Sequence, residues 1–180
     1  MIIKDLFTYF AQFVPKDALR DMFYQDGADG SAYASLKEEV LALPDTRVQG
    51  ELTDFIFGPD EDSARERISH TRGVFLFVDY SAATSYIDRL DVKTDKMHIG
   101  VTVAVHTPDD TDQPGLALLQ DQTLRIICDI RRALREDSYD DPTLEWLPME
   151  ASTLTPFLAK SLANATGWYL ELNSQMTDKL

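Results

Sequence analysis

The chain is poor in the residues that build common metal and redox centres. It has one cysteine, Cys128, and three histidines, His70, His98 and His106. A single cysteine excludes an intrachain disulfide and any multi-cysteine zinc site, and it fits a reducing compartment. Basic residues are also scarce: 17 Lys and Arg stand against 31 Asp and Glu, a formal net charge of −14. Such a field repels nucleic acid and anionic lipid headgroups, so neither is an expected partner. It suits a basic protein partner, or simply solubility. No apolar run approaches the roughly 20 residues of a membrane span. The first residues, Met1 to Phe7, carry charges and show no small-residue cleavage site after an apolar run. The expectation is a soluble, cytoplasmic protein without membrane association.

What is present is a folded-domain composition, 44% apolar and 10% aromatic over 180 residues. That length supports one domain with a substantial core. The clearest pattern lies between Met97 and Glu136. Met97, Ile99, Val101, Val103 and Val105 alternate with His98, Gly100, Thr102, Ala104 and His106, the period of a half-buried strand. After the turn Pro108 to Asp112, the residues Leu116, Leu119, Thr123, Ile126, Ile127, Ile130 and Leu134 recur at helical spacing. The spacing predicts a long amphipathic helix over 115–136.

Elsewhere the reading is shorter-ranged. Leu6, Phe10 and Phe13 share a helical face that ends near Pro15, and residues 16–24 add a second short helical segment. Gly and Asp content marks 25–30 as a turn. Ser31 is a predicted N-cap for a helix to about residue 43. Residues 46–58 predict a strand ending at Gly58-Pro59. Residues 60–70 are charged and read either as a helical turn or as a mobile loop. Val74 to Tyr80 is an apolar run, the pattern of a strand buried on both faces. Residues 81–96 read as a loop or partly helical connection, 137–143 as a loop, and 144–148 as a short strand. Thr155-Pro156 predicts the start of a short helix closed by Gly167, and Trp168, Leu170 and Leu172 predict a last strand. The expected fold is α+β: one mixed, mostly antiparallel sheet of about four or five strands, with the long helix on one face. Residues 1–45 form a helical N-terminal part and 46–175 the sheet portion of a single domain over 1–180.

Local chemistry is sparse. His98 and His106 share a strand face, but eight residues at about 3.3 Å each separate them by about 26 Å, too far for one ion. Cys128 lies mid-helix beside Arg131, Arg132 and Arg135. No Gly-rich turn or helix N-terminus supports a nucleophile there. The turn Asp109 to Gly115 approaches a calcium loop in carboxylate content. It places Pro114 and Asp121 where such a loop needs an oxygen ligand and a bidentate Glu. No nucleophile elbow, phosphate-binding loop, dinucleotide fingerprint or His-Glu-x-x-His occurs. No catalytic residue, cofactor, metal or small-molecule substrate is expected. The candidate protein contacts are Thr102 and Tyr169, on a sheet face expected to be uncovered, and the turn acids Asp109, Asp110 and Asp112.

Four segments carry a family resemblance: Gly73 to Tyr80, Met97 to His106, Leu116 to Leu134, and Ala165 to Asn173. In order and spacing they resemble the tail-terminator and tail-completion (minor tail) proteins of phages and prophages over about residues 72–175. The resemblance implies a non-catalytic structural protein that acts by ring formation on the end of a tail tube. Its partners would be further copies of itself and the tail-tube protein, through heterologous contacts. Exposed strand edges and the loops at 58–72, 81–96 and 107–114 would supply those contacts. A monomeric acidic protein-binding module, and an enzyme using dispersed carboxylates or Cys128, are the alternatives.

Overall fold

The computed structural model describes residues 2–23, 30–87, 93–140, 144, 152–159, 162 and 164–177. Five strands form one sheet in the order β1-β2-β3-β5-β4. They are β1 (Leu52–Gly58), β2 (Val74–Ile87), β3 (Lys93–His106), β4 (Thr153–Ala159) and β5 (Ala165–Thr177). β1 and β2 run parallel and every other pair is antiparallel. A parallel pair needs a crossover, supplied by the helix α4 (Glu61–His70). The α+β class, with a mostly antiparallel sheet and one long helix, is thus as the sequence predicts.

The two faces of the sheet are covered unequally. The inner face carries Leu76, Val78, Ile99, Val101, Val103 and Leu170, all fully buried. Over it lie α1 (Ile2–Ala11), α2 (Lys16–Met22), α3 (Ala32–Leu41) and α5 (Gln113–Asp140). The long helix presents Thr123, Ile126, Ile127, Ile130 and Leu134 inward, the stripe read from the sequence. The N-terminal helices share this core rather than forming their own. Phe7 meets Phe23, Phe55 and Phe57, and Phe57 meets Tyr80, so an aromatic chain joins α1 to β1 and β2. Ser31 caps α3 as expected, its hydroxyl accepting from the Ala34 amide at 3.1 Å. Lys16 closes the other end of that helix, donating to the Leu41 carbonyl at 2.8 Å and also to the Leu43 carbonyl, where a cation meets the negative helix terminus.

The outer face has a smaller cluster, in which Ala64 and Ile68 of α4 pack with Ile56, Phe75, Phe77, Ala104 and Ala165. Residues 60–70 are therefore a helix with a buried side. Its short apolar set, Ala64 and Ile68, makes so weak a stripe that the surrounding charge hides it.

Four further expectations are corrected. Residues 81–87 and 93–96 extend β2 and β3 as a paired ladder rather than forming a loop or helical connection. Residues 155–159 belong to strand β4, paired with β5, not to a helix. Pro156 fits there because β4 is an edge strand with one side free of ladder bonds. Residues 137–140 continue α5 instead of opening a loop. Thr102 is buried, at 4% exposure, because the outer face is partly covered. The strand expected at 144–148 lies, apart from Leu144, outside the described residues, as does most of the turn at 25–30.

Candidate functional site

Where α4 stops covering the outer sheet face, a groove of about 530 Å³ opens. Strand register builds it. One row across the sheet is Ile56, Phe77, Thr102, Tyr169 and Thr155, and the next is Gly58, Asp79, Gly100, Glu171 and Thr153. Side chains of these rows point to one face, because each strand alternates with period two. Pro59 and Asp60, leading into α4, form one wall, and Phe157, Ala159 and Leu162 form the other. The groove runs from an apolar end at Phe77, Phe157 and Leu162 to an acidic end at Asp60, Asp79 and Glu171.

Gly100 makes the acidic end. A Cβ there would lie 2.1 Å from Asp79 Oδ2 and 2.7 Å from the Tyr169 hydroxyl. Both oxygens therefore overhang a strand position that only glycine leaves open. The Tyr169 hydroxyl is 2.8 Å from His98 Nε2, and His98 Nδ1 is 3.6 Å from Glu171 Oε1. Burial pushes the Tyr169 phenol above its ordinary value, and the negative charges of Asp79 and Glu171 push it further. The phenol is held neutral, the opposite of what a phenolate base or nucleophile requires.

The structure brings together two of the residues named from sequence, Thr102 and Tyr169, and adds Asp79, Glu171, Asp60 and Phe157, which the sequence reading did not single out. A signal for them exists. The outward set on β2 runs Phe75, Phe77, Asp79 and Ser81, and on β3 Ala104, Thr102, Gly100 and His98. Both turn from apolar to polar in the same spatial direction, but only once the register is known.

The turn acids lie elsewhere. Asp112 Oδ1 accepts from the Gly115 amide at 2.8 Å and starts α5. Asp109 accepts from Asn164 Nδ2 at 3.3 Å, where Asn164 takes a left-handed φ of 57°. His106 is bound to Thr71 at 2.7 Å and is separate from His98. Cys128 lines a different, surface cavity with Arg131, Arg132 and Arg135. Among the described residues, no group of three or more His, Cys, Asp or Glu could hold a metal ion. No described helix is long and apolar enough to cross a membrane. In comparison with known proteins, the chain matches no family model, no curated protein and no solved structure.

Proposed function

We propose that this protein is a non-catalytic assembly subunit, a tail-terminator or tail-completion protein of phage or prophage type that works by ring formation. It would act in the cytoplasm and remain as a virion component, with further copies of itself and a tail-tube protein as partners. One observation carries the reading. β2 and β3 are 14 residues each, more than twice the usual strand length. Their pairing continues to Ile87 and Lys93, with β5 alongside to Thr177. Among the described residues, neither core cluster reaches past Tyr80 on β2 or before Met97 on β3. A three-stranded ladder thus continues about 23 Å past Tyr80, at about 3.3 Å for each residue to Ile87, with Asp95 buried within it.

At Thr84, Ser85 and Ile87, which are exposed, the ladder orders backbone without burying those side chains, and ordering backbone costs conformational entropy. A neighbouring subunit lying against it would supply the missing burial. Thr84, Ser85 and Ile87 are exposed on it, Ile87 at 69%. Those side chains are uncharged, which matters for association between copies that each carry −14. The end of this ladder on one copy and the body of the next form a heterologous contact, the kind that closes rings.

The test is solution mass by light scattering across concentrations, with negative-stain images of any large species. A discrete higher oligomer with ring outlines is expected, and Ile87→Lys should shift it toward monomer. A chain that stays monomeric at every concentration, alone and with tail tubes, overturns the proposal. The acidic groove favours the second reading in that case, a monomeric module binding a basic protein.

A further inference from the structure

We infer that the cavity on the exposed side of α5 is a binding site for a small oxyanion, a phosphate or carboxylate group. Its volume is about 420 Å³, and Cys128, Arg131, Arg132, Arg135, Glu136 and Tyr139 line it. That size falls within the roughly 300–1,000 Å³ of small-ligand sites. Its charge is the reverse of the chain's: three guanidiniums stand against one carboxylate, on a molecule of −14. Elsewhere the abundant acids neutralise the cations. Arg20, Arg47, Arg65 and Arg125 each meet a carboxylate. In the cavity only Arg132 does, with Asp129 Oδ1 at 3.1 Å. Arg131 donates from Nε to the Ser152 hydroxyl at 3.0 Å. That partner is neutral, so the charge stays uncompensated and, among the described residues, both terminal nitrogens stay unmatched. Arg135 has no side-chain partner among the described residues.

Helix stability does not account for these arginines. Arg131 and Arg135 stand four apart, where helical side chains are neighbours and like charges repel. A basic residue helps a helix within its last turn, and the last turn of α5 holds none. An oxyanion between the two guanidiniums removes the repulsion and accepts charge-assisted, fork-shaped hydrogen bonds. The net charge of the chain does not prevent this. At 0.15 M salt its field is screened over about 8 Å, so an anion inside the cavity responds to the arginines beside it. A cation would face three guanidiniums, and a neutral ligand would leave Arg131 and Arg135 uncompensated. Two sources share the selected chemistry: a free small anion, and an acidic side chain on a protein segment. The site stands whether or not the chain forms rings, because its residues all come from one copy.

The experiment is titration of the uniformly ¹⁵N-labelled full chain, followed by amide shifts, with three probes. These are phenyl phosphate, its neutral analogue benzyl alcohol, and acetylated tetraglutamate amide. Saturable shifts centred on the amides of Cys128 to Tyr139 are expected with both anions. The alcohol should bind about tenfold more weakly or worse. Arg131→Gln with Arg135→Gln should weaken the anions by a similar factor, and Arg135→Lys, which keeps the charge and loses the fork, by a smaller one. Unchanged amide dispersion away from α5 shows that each variant is folded. Cys128, the chain's one cysteine, supplies a second readout. Bound phenyl phosphate should slow its alkylation by iodoacetamide saturably, at the concentrations that shift the amides. Tighter binding of phenyl phosphate assigns the natural anion to a free molecule, and tighter binding of the peptide assigns it to a protein segment. No saturable shift with either anion, equal binding of the alcohol, shifts centred elsewhere, or binding unchanged in the double variant overturns the inference. Any of these leaves the assembly reading untouched, since that reading is judged by solution mass.

Discussion

At the scale of single residues, the most consequential group is one the sequence disguises. Asp137 accepts from the Tyr9 hydroxyl at 2.7 Å and from both terminal nitrogens of Arg47, tying α1, the turn at 45–47 and the end of α5 together. Burial alone would raise the Asp137 carboxyl. The hydrogen bonds from Arg47 and Tyr9 outweigh it and hold the group below the ordinary carboxylate value. A depressed folded pKa contributes stability that is present above the unfolded value, near about 3.9, and lost as pH falls through the folded one. Asp137→Asn should therefore cost about 2 kcal/mol at neutral pH. The gap from wild type in urea midpoint should close in acid, and an unchanging gap between neutral and acidic pH would refute the role of charge. Gly167 makes a second residue-scale case. A Cβ there would lie 2.1 Å from the Val103 carbonyl oxygen and 2.7 Å from Ala104 Cα, both backbone atoms of the paired strand. Neither can turn aside as a side chain does, so Gly167→Ala should destabilise by about 2–3 kcal/mol, read from a denaturation midpoint. The sequence shows Asp137 only as one acid in an acidic run. Its partner Tyr9 lies 128 positions away, and periodicity carries no information about contacts of that range.

At the scale of elements, legibility follows burial. β3 carries its large apolar residues on one face and α5 buries one regular stripe, so their periods are printed in the sequence over 97–106 and 115–136, while the extensions to Lys93 and Asp140 carry no such period. Strand β4 has no such face: none of its residues is buried, and exposed and intermediate positions lose their alternation at Thr155-Pro156, so the strand rests on its ladder with β5. Thr155-Pro156 then looks like the start of a helix, because the chemistry that opens helices also tolerates a sheet edge. The extension of β2 over 81–87 is hard to read for a related reason, since it is held by backbone pairing with β3 and its residues Ser81, Thr84, Ser85 and Ile87 are all exposed. The groove shares this limit. Thr102 and Tyr169 could be named from alternation, whereas Asp79, Gly100 and Glu171 form one row only through a register that spans three strands. For α4 the structure is decisive between two sequence readings, because Ile68 is fully buried in the outer cluster. Ile68→Ala should cost about 2–4 kcal/mol in chemical denaturation. A near-zero cost would mean that α4 does not pack on the sheet in solution.

At the scale of the whole molecule, a strongly acidic chain carries an acidic groove and, at the far end of β2, the uncharged exposed residues Thr84, Ser85 and Ile87, paired with Lys96, Asp95 and Lys93 of β3, and contacts through the two regions should respond oppositely to salt. Two copies at −14 each repel at long range, while contacts through Thr84, Ser85 and Ile87 are not themselves electrostatic. Raising ionic strength shortens the screening length from about 10 Å at 0.1 M to about 3 Å at 1 M. Ring assembly through the end of β2 should therefore strengthen with salt, with a larger mass-average at high salt than at low salt at one protein concentration. Capture of a basic protein by Asp60, Asp79 and Glu171 depends on attraction that the same salt screens, so it should weaken. Light scattering, run at both salt concentrations, separates the two surfaces without any mutation. Association that weakens with salt would move the subunit contact from the end of β2 to the acidic groove. In that case Asp79→Asn with Glu171→Gln, rather than Ile87→Lys, becomes the pair of changes that dissolves the oligomer.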